Sequence, residues 1–437
     1  MKIALCKSYF AGPVSGADET LVAYALALHE AGHDVIVVLL FTPTENDQYY
    51  ARLRRAGIAT TSVITRSTAF MILRRLRDFA AGVFFLIFLM PHAPSRLRSL
   101  WQIALDLISR IYYRECRAHF ASLSPDILHV VTPDVGAQLM IRAGHELGIP
   151  VIYQELGTPS YLPALDRYYR QLEKVLPLCA EVSALSPHLA AQWSERFTFL
   201  KSLSVMPLMV ADCDQRAAHA RHPATSESKS ECRREIVFGY AARLEEGKGP
   251  IVLVKALARL NRDQLVVVVR IAGLGPLLLE VKALTRKLRL DEACDFVGHY
   301  SEPLGKSAFM RSLDVFLQPS LAEGTPNSII EAMAHGLPII ASAVGGIPEL
   351  LSDDCGILVR PGDDEALAKA MERLAFDPDL RARMGRAARE RYLNLFSPEA
   401  VLPVLRRTYL RVASARRLSA ATSAERVAHP WEVAPEF

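Results

Sequence analysis

The chain has 437 residues, with 51 basic (Lys and Arg) against 47 acidic side chains and a net charge of +4; 51% of it is hydrophobic and 22% charged. That length exceeds what one hydrophobic core usually serves, so two domains are expected, and the apolar content excludes a disordered chain. So small a surplus of positive charge excludes nucleic-acid binding driven by bulk charge.

Residues 2–6 read as a buried strand. A Gly/Pro loop follows, then a helix over about 18–31 stopped by Gly32, then a strand over 33–40. Further strands are expected at 127–131, at 151–154 and around 181–183. Strands alternating with amphipathic helices predict a parallel sheet covered by helices, an α/β fold. Residues 211–234 (ADCDQRAAHARHPATSESKSECRR) lose the apolar periodicity and read as a linker. The alternation then restarts with IVFGYAAR at 236–243, a helix over 249–260 and a strand over 264–272, with short strands in VFLQPS and PIIASAV. From about residue 415 the composition turns small and polar, which predicts a flexible tail.

Seven cysteines, at 6, 116, 179, 213, 232, 294 and 355, are scattered and odd in number, without metal-ligand spacing. They are expected to be free thiols in a reducing compartment, the cytoplasm. The opening MKIALCKSYF lacks the long apolar run of a signal peptide. The longest apolar stretch, FAAGVFFLIFLM at 79–90, is too short to span a bilayer as a helix. It lies within a basic region: residues 65–120 hold nine arginines and three acids. Basic residues beside apolar ones suit an anionic membrane surface, so residues 66–120 are expected to make a peripheral contact there. The same pattern also fits helices whose apolar faces are core.

Three segments carry candidate chemistry. AGPVSGADE at 11–19 joins the first strand to the first helix, where a glycine loop including Gly16 can bring backbone amides to a phosphate. Alone it also fits an ordinary turn. AARLEEGKG at 241–249 places Arg243 and Lys248 around a turn at a strand's carboxyl end, where both can neutralise a diphosphate; alone it also fits a solvated charged turn. The most informative stretch is LAEGTPNSIIEAMAHGLPIIASAVGGIPEL at 321–350. Thr325 is expected as the helix cap and Pro326 as the first helical residue, with Gly336 and Pro338 ending the helix. Glu323 then precedes the helix and Glu331 lies about one and a half turns inside it, flanked by Ile329, Ile330, Ala332, Met333 and Ala334. Such a helix is buried, and a buried carboxylate needs a partner. The free amides near Asn327 and Ser328 offer an anion site, and carboxylates suit sugar hydroxyls because each oxygen accepts two hydrogen bonds.

These pieces together resemble the retaining glycosyltransferases of glycosyltransferase family 4. The likeness runs over most of the chain and is strongest over about 236–375. It rests on two glutamates separated by seven residues (EGTPNSIIE), on EAMAHGLPIIAS, VGGIPELL and GILVRPGD, on Arg243 and Lys248 in AARLEEGKG, and on SGADETLVAYALALHEAGHDV.

The resemblance implies the GT-B fold, two Rossmann-like domains facing each other across a cleft. An N-terminal acceptor-binding domain would cover 1–210 and a nucleotide-sugar-binding domain 235–395, with a helix over 396–414 packing back on the first and a tail over 415–437. It implies a UDP-, GDP- or ADP-sugar donor and a glycan or lipid-linked acceptor in cell-surface polysaccharide assembly, with no cofactor and no metal. Glu323 would meet the donor sugar, Glu331 the ribose, and Arg243 and Lys248 the diphosphate. Amides around Gly16, Asn327 and Ser328 would complete the phosphate contacts, Thr325 would be a further donor-binding residue, and VGHY at 297–300, with Gly298 and His299, would lie near the base. In one departure, Leu156 stands where many members carry a histidine facing the donor sugar. Glu155 beside it and His129 in ILHVV become candidate sugar or acceptor contacts, with a structural role as the alternative for His129. The competing readings are an epimerase-like or a non-catalytic nucleotide-sugar-binding protein of the same fold.

Overall fold

The computed structural model describes residues 1–10, 15–64, 95–131, 135–155, 157, 159, 166–200, 203–211, 235–261, 265–298 and 303–428. The expected linker (from 212), the apolar run at 79–90, Leu156 and His299 lie outside the described residues.

The first unit runs β1 (Lys2–Lys7), α1 (Gly16–Glu30), β2 (Asp34–Phe41), α2 (Gln48–Arg55), β3 (Ala59–Ile64), α3 (Ser95–Leu123), β4 (Ile127–Val131), α4 (Val135–Glu146), β5 (Val151–Glu155), α5 (Asp166–Val175), β6 (Glu181–Ala184), α6 (Pro187–Arg196) and β7 (Ser204–Val205). Its strands pair in the order β3-β2-β1-β4-β5-β6-β7, all parallel. The second unit runs β8 (Ile236–Ala241), α7 (Pro250–Arg259), β9 (Val267–Ala272), α8 (Leu278–Lys287), β10 (Cys294–Gly298), α9 (Pro303–Arg311), β11 (Val315–Gln318), α10 (Asn327–Ala334), β12 (Ile339–Ser342), α11 (Ile347–Leu350), β13 (Gly356–Val359), α12 (Asp364–Phe376) and α13 (Pro378–Leu395). Its parallel order is β10-β9-β8-β11-β12-β13, and a last helix, α14 (Pro398–Ala428), follows.

This is the expected α/β architecture of two Rossmann-like units. In each sheet the strand order reverses beside the unit's first strand, between β1 and β4 and between β8 and β11. A crevice opens at the carboxyl ends of the strands at such a reversal. The inner strands are buried on both faces: seven of the eight β2 residues are buried, which is why β2 reads as a nearly unbroken apolar run. Strand β3 escaped sequence reading because its ATTSVI is half polar and only its last two residues are buried.

Helix α14 crosses back from the second unit to the first. Val401, Leu405, Tyr409 and Val412 pack in one apolar cluster with Leu21, Val22, Tyr24 and Leu28 of α1. The Tyr409 hydroxyl lies 2.7 Å from His129 Nδ1, and Arg411 makes a two-pronged ion pair with Glu181 at 2.9 and 3.0 Å. The helix runs fourteen residues past its expected end at 414, so residues 415–428 are helical where a flexible tail was expected. The reason is compositional: Ala, Arg, Leu and Glu, all strong helix formers, fill this stretch. Among the described residues no helix is long and apolar enough to cross a membrane.

Candidate active site

A cleft of about 670 Å³ separates the two units. The first unit contributes the start of α1 and the second the β8–α7 turn, the end of β9, Lys306 of α9, and the loop from Gln318 into α10. Gly16, Arg243, Lys248, Glu323, Thr325, Asn327, Ser328 and Glu331 all line it, so eight of the residues singled out from sequence converge.

The β8–α7 turn is fixed from several sides. Gly249 adopts a left-handed conformation (φ 66°), and a Cβ there would sit 1.9 Å from the Pro319 carbonyl oxygen. Only glycine fits, and Pro250 then starts α7 with its φ already helical. The buried Tyr240 hydroxyl lies 3.2 Å from the Lys248 carbonyl oxygen. The amides of Leu321 and Ala322 both donate to the Gly247 carbonyl, at 2.9 and 3.1 Å. The turn carrying Arg243 and Lys248 is thereby stitched to the loop carrying Glu323.

Lys248 Nζ lies 2.9 Å from Glu323 Oε2. Glu323 Oε1 accepts from Gln318 Nε2 at 3.0 Å and Ser320 Oγ at 2.9 Å. With a side chain only 6% exposed, this carboxylate is held rigidly at the cleft wall. Gln318 Oε1 in turn accepts from Ser328 Oγ at 3.0 Å, which ties Glu323 to the first turn of α10. Gly345 backs the loop: its φ is 54°, and a Cβ would meet the Glu323 carbonyl oxygen at 1.9 Å. The Gly346 amide donates to the Gly324 carbonyl at 2.7 Å. Arg243, by contrast, is 70% exposed and pairs with Glu245 at 3.0 Å, so it stands at the cleft mouth.

The expected cap of α10 is corrected. Pro326, not Thr325, occupies the cap position, and no side chain bonds the first turn. Pro326 itself takes an extended backbone (φ -74°, ψ 121°) and not a helical one, which moves the boundary one residue on. The Thr325 hydroxyl is buried with no hydrogen-bond partner among the described residues. The amides of Asn327 and Ser328 open the helix, where no preceding turn supplies acceptors.

The units touch across the cleft. Asn327 Nδ2 donates to the Gly16 carbonyl at 2.9 Å. Lys306 Nζ lies 2.7 Å from Glu331 Oε1 and 3.1 Å from Glu19 Oε1 in the first unit, and Glu19 also pairs with Arg52 at 2.6 Å. Burial pushes the Glu331 carboxyl above its usual range despite Lys306. Burial pushes Glu19 the same way, but Lys306 and Arg52 outweigh it and bring its carboxyl below that range. At α6 the His188 amide donates to Glu349 Oε1 at 2.9 Å, a further contact between units.

Three sequence candidates stand apart from this cleft. His129 is fully buried against Tyr24 and Tyr409, and burial lowers its pKa to about 3, so it is a neutral core residue. Glu155 is buried, accepting from Tyr153 Oη at 2.7 Å and the Gly157 amide at 3.2 Å. Gly298 does not line the cleft, but its carbonyl accepts from the amide of Gly273, which does. Sequence reading missed Lys306, Glu19, Gln318 and Ser320. Gln318 left a signal, a polar residue closing the apolar run VFLQ; Lys306 left none. Among the described residues no three His, Cys, Asp or Glu side chains cluster to hold a metal ion.

Two family models match the chain: Glycosyltransferase Family 4 over residues 14–210 and Glycosyl transferases group 1 over residues 224–391. A glycosyltransferase assigned to colanic acid biosynthesis in Salmonella typhimurium is 27% identical over 262 residues, 58% of this chain and 60% of that protein. The D-inositol 3-phosphate glycosyltransferase of Saccharomonospora viridis is 34% identical over 165 residues, 36% of this chain and 38% of that protein. The chain thus spans between about two and three fifths of these relatives' length. The crystal structure of Anabaena HepE in complex with UDP is similar in fold, with TM-score 0.67 and 17% identity over 93% of this chain and 99% of that one.

Proposed function

Because this chain belongs to the group 1, family 4 glycosyltransferases, we propose that it moves a sugar, with retention, from a nucleotide diphosphate-sugar to a glycan or lipid-linked acceptor in cell-surface polysaccharide assembly. The observation that carries this is the convergence of Lys248, Glu323, Glu331 and the starts of α1 and α10 on one cleft. A similar fold holds UDP in HepE, and a relative is assigned to colanic acid biosynthesis.

In this reading the bond from the anomeric carbon to the diphosphate oxygen breaks, and its electron pair leaves with the diphosphate. The acceptor hydroxyl oxygen bonds the same face of the anomeric carbon, and its proton passes to the departing phosphate oxygen. Arg243, Lys248 and the amides opening α10 stabilise the developing negative charge, in place of a metal. Glu323 can accept about four hydrogen bonds. Gln318, Ser320 and Lys248 take three, and the last faces the sugar's hydroxyls or its growing positive charge. Glu331 accepts from the ribose. The acceptor site lies on the first unit, and the exposed Arg110, Arg114 and Arg117 of α3 support contact with an anionic membrane surface on the cytoplasmic side.

A thermal-shift screen of UDP-, GDP- and ADP-sugars tests the donor claim. One donor family should stabilise by about 2.7 kcal/mol at a hundred times its Kd. Absence of any shift would overturn the proposal, and a shift that survives Glu331→Ala would overturn the ribose assignment alone.

A further inference from the structure

Lys306 belongs to no segment that sequence reading singled out, yet its ammonium joins the two units. It sits between Glu331 of its own unit and Glu19 of the other, and all three side chains are less than one fifth exposed. Arg52, behind Glu19, completes an alternating row of two cations and two carboxylates. Lys306 and Glu331 also stand between the main cleft and a cavity of about 40 Å³ bounded by Met209, Met310 and Ala334. The row is therefore part of the cleft wall.

A carboxylate in such a wall does not keep one orientation or its charge unaided. Water is too scarce to solvate it, and the neighbouring Glu19 repels it. The ammonium on Glu331 Oε1 offsets both in part and leaves Oε2 for a donor from the ligand. Glu19 and Arg52 in turn fix the ammonium from the opposite unit. We propose that Lys306 is the positioning residue for ribose recognition, aiming Glu331 at the ribose hydroxyls and held in place by Glu19 across the cleft. This rests on the reading of Glu331 as the ribose acceptor.

The test compares UDP, GDP or ADP, whichever binds the full-length protein most tightly, with its 2′,3′-dideoxy analogue by titration calorimetry. Wild type should prefer the ribonucleotide by about tenfold or more, the worth of a hydrogen bond to a charged group. Lys306→Met should collapse that preference to within about twofold, while affinity for the dideoxy analogue stays within about twofold of wild type. A purely structural role would weaken both ligands alike. Glu19→Gln should lose part of the preference; an unchanged preference there overturns the share given to Glu19. If Lys306→Met does not fold, Lys306→Gln carries the same comparison. A preference that survives the loss of the Lys306 charge, but disappears in Glu331→Gln, overturns this proposal and leaves the proposed function standing. A wild type that binds no nucleoside diphosphate overturns both.

Discussion

Lys248 and Glu323 form one ion pair, Nζ to Oε2 at 2.9 Å, although the first is proposed to meet the diphosphate and the second the sugar. In the proposed reaction the two sides of the bond to be broken would therefore be held by groups that fix each other. Lys248→Met should lower kcat about a hundredfold, within the range for losing one preorganised charge contact. It should also destabilise the fold by about 1–3 kcal/mol by stranding a carboxylate that is 6% exposed. Adding Glu323→Gln should return most of the stability and none of the activity. Urea melts and steady-state rates on the single and double variants separate the two effects; a double variant as unstable as the single would contradict the pairing.

Gly345→Ala tests the support behind Glu323. The new Cβ would meet the Glu323 carbonyl oxygen at 1.9 Å from a left-handed backbone, so the loop must move. A loss of about 1–3 kcal/mol is expected, with turnover falling at least tenfold although the residue touches no substrate. Normal kcat in a destabilised variant would mean that the loop tolerates the shift.

The two carboxylates around Lys306 should respond to pH with opposite signs. Glu331 is raised above its ordinary value of 4.5, so its protonated form favours folding and its ionised form opposes it above that range. Glu331→Gln should therefore melt at or above wild type near neutral pH, with the difference closing as pH falls below about 4. Glu19 is lowered from the same value, so its contribution is present above 4.5 and is lost as pH falls through its folded pKa. Glu19→Gln should melt below wild type at neutral pH and approach it in acid. Tm measured from pH 3.5 to 8 reads both, and parallel curves would refute the opposed shifts.

Tyr409→Phe removes the hydroxyl 2.7 Å from His129 Nδ1. Stability should fall by about 1–2 kcal/mol, because a buried ring nitrogen loses its partner. The rate should not change, since neither residue lines the cleft. Guanidinium melts beside an activity assay make the comparison, and a fall in kcat at equal stability would return His129 to the site.

The second unit's side of the cleft was legible where its residues are contiguous. Glu323, Asn327, Ser328 and Glu331 fall within nine positions, and cap, stop and periodicity signals place them on one helix mouth. Thr325 was misplaced by one residue because Pro326, which suits a first helical position, instead takes an extended backbone, φ -74° and ψ 121°. Lys306 was illegible because its meaning lies in Glu19, 287 positions away, and no local pattern encodes a partner at that distance. His129 was ambiguous for the same reason: Tyr409, which explains it, lies 280 positions on. Leu156 and His299 lie outside the described residues.

The return of α14 to the first unit has a topological consequence. The main chain passes between the units twice, and the end of the first unit meets the start of the second passage: the Val210 amide donates to the Phe396 carbonyl at 3.1 Å, and Tyr392 Oη to the Val210 carbonyl at 2.8 Å. Because α14 clasps α1 without a covalent bond, a chain severed between 212 and 234 should keep its halves together. Residues 1–211 and 235–437 made as separate polypeptides should associate into the intact cleft.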